Sequence, residues 1–397
     1  MEREESALAG VRVLDVTRVL AGPHCGAILA DLGAEVIKIE QPNSGDDARQ
    51  FNPFVKGESS YFMNLNRGKK GVTLDLKKGK QVFLQMVAKS DIVIENFKPG
   101  TMAKLGLDYE ALKKVNPGII FVSISGFGQS GPYHLMPGYD LIGQAMSGLM
   151  SVTGEPGREP LRAGGPMCDV MGGMSGAMAA LAALQYRNRT GKGQMIDISL
   201  LDALVASMMT INHHYLVDGR IPQRRGNAYE SAAPADSFRA ADGYYVVTIG
   251  NDKLWRALVD LMKLPQLLEM EEFSTNFKRV QNAKQLKKHI EAWSSALTVG
   301  EVVKSMLDVG IAAAPILDIK QVCTDPHIAG ARGMFVEVDH PTAGKVRITN
   351  SALRLSETNA HVRGPSPTLG EHNEAVYGTV FGFAPEDIAA WKEVGVI

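Results

Sequence analysis

The sequence predicts an α/β protein in which a large domain with an open sheet is joined to a smaller α/β domain. The first third of the chain alternates short β-branched runs with helical segments. A part rich in Gly, Met and Ala follows, and a two-residue alternation typical of a hairpin begins after Gly226. The chain has 397 residues, more than one hydrophobic core usually serves.

The N-terminal segment predicts a strand–helix–strand unit. Residues 11–16 and 35–39 are strand candidates, and the Ala-rich stretch that ends at Leu32 is the helix between them. Two further strand candidates, 92–95 and 119–124, follow helical segments at 78–89 and 108–115. This alternation indicates a Rossmann-like parallel sheet with helical crossovers.

The remaining segments complete the two domains. We expect helices at 139–150, 170–188 and 198–216, a hairpin at 237–240 and 244–249, helices at 255–262, 284–297 and 299–309, and a second hairpin at 334–338 and 345–348. We assign 1–225 to the large domain, to which 326–397 returns, and 226–325 to the small domain.

The charge balance indicates small-molecule partners. With 42 basic and 43 acidic side chains, the formal net charge is −1. The chain therefore has no general field that would attract nucleic acid or an anionic membrane. The longest apolar run, 170–184, is too short for a membrane span and predicts a buried helix.

Cysteine usage and the N-terminus favour the cytoplasm. Cys25, Cys168 and Cys323 are far apart and odd in number, without zinc-ligand spacing, which predicts free thiols in a reducing compartment and no metal site. Residues 1–10 are polar and Glu-rich, unlike a secretory signal.

The first strand–helix–strand unit raises the question of a dinucleotide site. It ends on Glu40, where a ribose-binding acid would lie, but Gly22 and Gly26 do not form the G-x-G-x-x-G fingerprint. A plain crossover is therefore favoured over NAD binding. The helix N-terminus remains suited to phosphates in another geometry.

Asp169 is the main candidate for chemistry. It precedes an apolar helix, where Asp is a favoured N-cap, and the same position favours the ionised carboxylate that a nucleophile needs. Gly172, Gly173 and Gly176 suit close helix packing or a ligand at the helix start. Cys168 is a rival nucleophile without a cationic partner in the sequence.

Other polar residues have ordinary interpretations. His213 and His214 are interpreted as packed or solvated histidines, and His24 as a loop histidine without a role, although its place in the first turn would suit a ligand contact. A group of lysines is interpreted as solvated surface whose position near strand ends suits phosphate contacts; its members are Lys69, Lys70, Lys77, Lys78 and Lys98.

Motifs along nearly the whole chain resemble the class III CoA-transferases, the CaiB/BaiF family that includes formyl-CoA and carnitine CoA-transferases. The matching segments are VRVLDV (11–16), GAEVIKIE (33–40), NRGKKGVTLDLK (66–77), ENFKPG (95–100), SGFGQSGP (125–132), PGYD (137–140), RAGGPMCDVMGGMSGA (162–177), TGKGQ (190–194), GIAAAP (310–315) and Asp325-Pro326.

The resemblance implies a mechanism and a fold. Asp169 matches the family's nucleophile, which carries CoA as an aspartyl thioester between two acids, and Tyr139 matches a tyrosine beside it. CoA is then a substrate, and no permanently bound cofactor is needed. The family's fold implies an interlocked homodimer, with each active site between the large domain of one chain and the small domain of the other. Positions that match CoA contacts are Thr17, Arg18, Val19, Lys38, Leu74, Lys77, Asn96, Phe97 and Lys104.

One departure from the family pattern bears on the substrate. Residues 248–252 (TIGND) contain one glycine where formyl-CoA transferases carry a glycine run, so we expect an acceptor other than oxalate. We expect succinyl-CoA or a similar donor, with Arg49 or Arg67 available for a second carboxylate.

Two other functions stay open. An acyl-CoA racemase or isomerase of the same fold is disfavoured because Tyr139 stands where the related racemases carry a catalytic histidine. The other is a non-catalytic acyl-CoA carrier in which Asp169 only caps its helix.

Overall fold

The structure, a computed structural model, describes residues 6–397. Residues 1–5, part of the Glu-rich N-terminal segment considered above, lie outside the described residues. The described chain divides into two compact units. The first comprises the described residues up to Leu149, Arg162–Leu216 and Pro326–Ile397; the second comprises Met150–Leu161 and Val217–Asp325. The second unit thus begins before residue 226 and takes in a segment that we assigned to the large domain.

Strands and helices alternate through the first half of the chain. In order they are β1 (Arg12–Asp15), α1 (Ala21–Asp31), β2 (Glu35–Glu40), β3 (Phe54–Val55), β4 (Glu58–Ser59), α2 (Ser60–Leu65), β5 (Lys70–Thr73), α3 (Lys80–Val87), β6 (Ile92–Glu95), α4 (Thr101–Leu105), α5 (Tyr109–Val115), β7 (Ile120–Ser125), α6 (Asp140–Met146), α7 (Leu149–Val152), α8 (Met167–Thr190), β8 (Met195–Ser199), α9 (Leu200–Ser207) and α10 (Thr210–Asp218).

The second half is more varied. Its elements are β9 (Ala235–Arg239), β10 (Tyr244–Thr248), α11 (Asp252–Met262), α12 (Asn276–Gln281), α13 (Ala283–Ser294), α14 (Val299–Asp308), β11 (Ala312–Pro315), α15 (Ile319–Thr324), β12 (Phe335–His340), β13 (Gly344–Thr349) and α16 (Pro385–Glu393).

A six-stranded parallel sheet in the order β5-β2-β1-β6-β7-β8 is the framework of the first unit. The four strands predicted from β-branched runs are present. β5 and β8 were missed, and the helix predicted at 198–216 is wrong at its start, because Met195–Ser199 forms an edge strand. The helix predicted at 139–150 is also interrupted, because Gly148 adopts a left-handed φ of 90° between α6 and α7.

The strand order reverses at β1, which pairs with β2 on one side and with β6 on the other. In open parallel sheets, the loops that leave two such strands diverge and leave a crevice at the carboxyl edge of the sheet. Here the two loops are Val16–Leu20 after β1 and Asn96–Gly100 after β6. This edge is therefore where a ligand site is expected.

Helices cover both faces of the sheet. α1 and α8 pack on one face, and α3, α5 and the C-terminal segment that ends in α16 pack on the other. α8 is long and apolar enough to cross a membrane by length and composition alone. Ala177, Ala180 and Ala183 on α8 lie in the core, whereas Met174 and Met178 are exposed, so the helix predicted to be buried is buried on one face only.

The second unit has a core of its own around a three-stranded antiparallel sheet, β11-β10-β9. The predicted hairpin is confirmed, with Tyr244 opposite Arg239 and the turn at Asp242 and Gly243. In the first unit, the predicted second hairpin is confirmed as β12 and β13.

Candidate active site

Asp169 lies in the first turn of α8, two residues inside the helix. The prediction that Asp169 caps this helix is wrong, since Pro166 occupies the N-cap position and makes no side-chain cap bond. The cap comes from another helix: the Asp140 carboxylate accepts a hydrogen bond of 2.8 Å from the backbone N–H of Cys168. The Asp169 carboxylate is thereby left available for other contacts.

Asp140 and Gln144, one turn apart on α6, hold the segment that leads into α8. The Gln144 amide donates to Asp140 at 2.6 Å and to the carbonyl of Gly165 at 3.1 Å, and its oxygen accepts from Ala163 N–H at 2.9 Å. Gln144 is fully buried. These contacts fix the start of α8, and with it the position of Asp169.

Glycines allow α8 to pack closely against α1, α6 and α9. A Cβ on Gly173 would lie 2.6 Å from the carbonyl oxygen of Ala21, and one on Gly172 would lie 2.3 Å from Leu200. On α6, a Cβ on Gly143 would lie 2.4 Å from the sulfur of Cys168. The contact at Gly173 is to backbone and excludes a side chain there, whereas those at Gly172 and Gly143 would require Leu200 and Cys168 to shift. Close helix packing is one of the two roles that we predicted for the glycines on α8.

Burial and, to a smaller extent, the nearby Asp140 carboxylate together raise the pKa of Asp169 to about 7. The direction is opposite to the one expected from the helix N-terminus alone, because desolvation outweighs the partial positive charge of the helix. Near neutral pH the side chain is therefore present in both protonated and ionised forms. Burial, Asp140 and Asp169 together raise the pKa of Cys168 to about 12, so Cys168 stays a thiol and is a poor nucleophile.

Asp169 lines a cleft of about 360 Å³ at the carboxyl edge of the sheet. We call it the first cleft. Predicted site residues that line it are Arg18, Val19, Asn96, Phe97, Tyr139 and Asp169. Its cationic side chains are Arg18 and Lys98, and His134 also lines it. The structure thus brings the proposed nucleophile and the residues after β1 and β6 together.

A second cleft of about 240 Å³ shares Arg18 and Phe97 with the first. The predicted residues Thr17, Leu74 and Lys77 line this second cleft. Lys104 lines neither cleft; it is exposed on α4, whose residues Thr101 and Leu105 line the second one.

Lys38 is also absent from both clefts. Its ammonium group is completely buried, donates to Asp46 at 2.8 Å and donates to the carbonyl of Thr17. Burial alone would lower the pKa of Lys38, but the carboxylates of Asp46, Asp15 and Glu40 raise it above its ordinary value. Lys38 is therefore a buried cation that contacts the carbonyl of Thr17 and reaches neither cleft.

Several basic residues assigned to solvent or substrate are engaged inside the protein. Arg49 makes a bidentate ion pair with Glu40 at 2.7 and 2.8 Å, and Arg67 pairs with Asp31 at 2.6 Å. The suggestion that either arginine is free for a substrate carboxylate is wrong. Lys69 is likewise fully buried, with its ammonium 2.8 Å from Asp15, so its assignment to a solvated surface is also wrong.

His24 on α1 is largely buried, and burial together with the cations Arg67 and Lys69 lowers its pKa to about 4. It is therefore neutral at physiological pH. Its ring packs near Gly173 of α8. The interpretation of His24 as a loop histidine is therefore wrong, because His24 lies in α1 and packs against α8.

Ser125 was missed by the sequence analysis. It is the last residue of β7, lines the first cleft, and is 7% exposed, yet its hydroxyl has no hydrogen-bond partner within residues 6–397. A buried hydroxyl normally has a partner. The signal for it was the position of Ser125-Gly126 directly after a buried strand, at the edge where ligands bind.

The loop predicted to affect acceptor choice lies in the second unit. β10 ends at Thr248, and the Asn251 side chain caps α11 by accepting from Leu254 N–H at 3.0 Å. Asn251 is thus committed to the helix start, so the segment lacks both the glycine run and a free polar side chain at this position.

Comparison with known proteins identifies close relatives. A sequence profile of CoA-transferase family III matches residues 8–373. A succinate–glutarate CoA-transferase from Agrobacterium fabrum is 38% identical over 385 residues, with 95% of this chain and 96% of the relative covered. An acetyl-CoA:oxalate CoA-transferase from Acetobacter aceti is 39% identical over 371 residues, with 92% and 94% covered.

A solved structure supports the same relationship. A CaiB/BaiF family protein from Brucella suis matches with a TM-score of 0.86 and 37% sequence identity, and the match covers 95% of this chain and all of that chain. The fold described above is therefore shared over nearly the full length.

Proposed function

Because the chain belongs to CoA-transferase family III and is a CoA-transferase, we propose that Asp169 is the nucleophile that carries CoA between two organic acids. The observation that carries this proposal is the position of Asp169. Its carboxylate lines the first cleft, and no group of residues 6–397 donates a hydrogen bond to it in this structure. Both oxygens are free to meet a substrate.

Each step of the proposed reaction exchanges one acyl bond for another. An Asp169 oxygen attacks the thioester carbon of the donor; the C–S bond breaks, and CoA thiolate leaves a mixed anhydride. The thiolate attacks the Asp169 acyl carbon and releases the donor acid, which gives an aspartyl-CoA thioester. The acceptor carboxylate then repeats the two steps in reverse and restores Asp169. No electron acceptor or metal enters the balance.

We place the two ends of CoA in the two clefts. The thioester lies beside Asp169 in the first cleft, and the nucleotide lies in the second, where Lys77 offers a cation to phosphate and Lys104 is exposed nearby. Arg18 and Phe97 line both clefts and therefore border the path between them. The strand order of the sheet supports this Rossmann-like placement at the switch between β1 and β6.

The proposed substrates are succinyl-CoA as donor and a short dicarboxylate such as glutarate as acceptor. The Agrobacterium relative is named for succinate and glutarate. In this chain, Arg18 and Lys98 provide positive charge in the first cleft for the distal carboxylate. This replaces the role that we first considered for Arg49 and Arg67, since both are paired with buried carboxylates.

An acceptor screen tests this proposal. Purified protein with succinyl-CoA is given glutarate, mesaconate, oxalate or acetate, and each acyl-CoA product is measured by chromatography. We expect transfer to glutarate or mesaconate and none with Asp169→Asn, which keeps side-chain size. If the protein instead exchanged the α-proton of an acyl-CoA with deuterated solvent and transferred to no acid, it would be a racemase or isomerase.

We also propose a cytoplasmic homodimer. Apolar side chains are exposed on two helices of the first unit: Met174 and Met178 on α8, and Tyr215 and Leu216 on α10, with Leu216 74% exposed. Exposed apolar groups of this size are typical of subunit interfaces. Light scattering after size exclusion should give the mass of two 42.8 kDa chains, and a monomeric mass at micromolar concentration would contradict the proposal.

A further inference from the structure

The loop of Thr17, Arg18 and Val19 connects β1 to α1 at the switch point, and its residues line both clefts. Side chains from elsewhere in the chain form hydrogen bonds with its backbone. The N–H groups of Thr17, Arg18 and Val19 donate to the side chains of Asp15, Asn96 and Asp46, at 3.0, 2.8 and 3.0 Å. The loop is thus held by groups from three different segments.

Its carbonyls are held in the same way. The carbonyl of Thr17 accepts from the Lys38 ammonium, and that of Arg18 accepts from the Asn96 amide at 2.8 Å. Asn96 therefore binds the N–H and the carbonyl of the same residue. Both the oxygen and the amide nitrogen of Asn96 are thus engaged by Arg18, so this side chain is less available to a ligand.

Val19 has a left-handed backbone, with φ at +67°. This region is sterically unfavourable for a β-branched residue, and such strain persists only where the surroundings enforce it. In this loop the enforcing contacts are those of Asn96 to Arg18 and of Asp46 to Val19 itself.

The enforcing groups are anchored in turn by buried charges. Asp46 pairs with Lys38 at 2.8 Å, and both side chains are at most 1% exposed. Glycine makes room on the α1 side, where a Cβ on Gly22 would lie 2.3 Å from Thr17. The loop is therefore enclosed by a rigid charged network on one side and by α1 on the other.

We propose that Asn96, Asp46 and Lys38 are positioning residues that hold Thr17, Arg18 and Val19 in a strained conformation required for CoA binding. This inference rests on the proposed placement of CoA in the two clefts. It gives Lys38, which reaches neither cleft, a role through Asp46. It also assigns the Asn96 side chain to the loop.

A double-mutant cycle tests the role of strain. Asn96→Ala removes both contacts to Arg18, and we expect it to weaken CoA binding by about 10-fold or more by calorimetry, with kcat at saturating acyl-CoA changed much less. In a Val19→Gly background, where glycine adopts the left-handed conformation freely, the same substitution should cost less than about 3-fold. In a Val19→Ala background, which keeps the Cβ, most of the loss should remain.

Asp46→Asn can replace Asn96→Ala in the same CoA-affinity measurements. It removes the charge paired with Lys38 and keeps an oxygen that can accept from Val19 N–H. Thermal unfolding identifies any variant that does not fold. If Asn96→Ala weakened CoA binding equally in the unmodified, Val19→Gly and Val19→Ala backgrounds, the inference would be overturned and the proposed function would remain intact. Failure of the unmodified protein to bind CoA would instead overturn the proposed function on which the inference rests.

Discussion

The Asp140 carboxylate accepts a hydrogen bond of 2.8 Å from the backbone N–H of Cys168, the residue next to Asp169. A side chain of α6 thereby caps α8 and sets the position of the proposed nucleophile. The same carboxylate raises the pKa of Asp169. Asp140 thus influences both the geometry and the protonation of Asp169, and the two effects are separable by mutation.

Asp140→Ala and Asp140→Asn should therefore behave differently. Alanine removes the acceptor for Cys168 N–H, and we expect kcat to fall roughly 10- to 100-fold, as for a displaced catalytic group. Asparagine retains an acceptor oxygen, so its kcat should fall less. Steady-state kinetics of both variants check this, and an equal loss in the two would show that the cap is not the important contact.

The rate of nucleophilic attack should follow the ionisation of Asp169. Its pKa is raised to about 7, so the protonated form predominates below that pH and the rate should rise about tenfold per pH unit until it levels off. Rapid-quench measurement of donor acid release from pH 5.5 to 8.5 gives the profile. Asp140→Asn should move its midpoint to lower pH.

A second carboxyl with a similar pKa provides the control for that profile. Burial raises the pKa of Glu95 to about 7, and Glu95 lines neither cleft. Glu95→Gln should therefore leave the midpoint where it is. If the midpoint moved with Glu95→Gln and not with Asp140→Asn, the titrating group would not be Asp169.

Asp169→Asn should stabilise the protein at pH 8. The pKa of Asp169 in the folded state exceeds its unfolded value of 3.8. The folded protein therefore loses stability as the pH rises from about 4 to 7, because ionising this carboxyl costs more in the folded state than in the unfolded state. Removing the ionisable group should raise the free energy of unfolding by about 1 to 3 kcal/mol at pH 8.

Urea denaturation at two pH values checks this prediction. The stabilisation by Asp169→Asn should be clearly smaller at pH 4.5 than at pH 8. A stabilisation of the same size at both pH values would contradict the raised pKa.

Ser125→Ala should separate stability from ligand binding. Removing a buried hydroxyl without a partner is expected to leave the ligand-free protein equally stable, or more stable by about 1 kcal/mol. If the hydroxyl binds substrate, KM for the acyl-CoA should rise roughly 3- to 10-fold, the value of one hydrogen bond. An unchanged KM would limit Ser125 to a structural role.

The framework of the sheet was predictable because its central strands are short β-branched runs. Residues 92–95 were assigned without error, and β7 was displaced by one residue. β5 and β8 are less distinctive, since Lys70-Gly-Val-Thr and Met195-Ile-Asp-Ile-Ser mix polar and apolar residues. Their strand conformation depends on pairing with neighbours that are distant in sequence.

The sequence predicted which segments form the candidate site, but not what each side chain does there. Asp169 was identified, yet its capping role was wrong because the cap comes from Asp140, 29 residues earlier. Lys69 was assigned to the surface and Arg67 to a substrate carboxylate because their partners, Asp15 and Asp31, lie 54 and 36 residues away. Pairing at such separations leaves no local signal in one sequence.

The most direct test of the account is mass spectrometry of the protein after incubation with succinyl-CoA, acid quenching and digestion. We expect the mass of CoA, less water, on the peptide that contains Asp169, its loss on addition of glutarate before the quench, and no adduct with Asp169→Asn. Turnover without an adduct on that peptide, or an adduct at another residue, would contradict the assignment of Asp169 as the nucleophile.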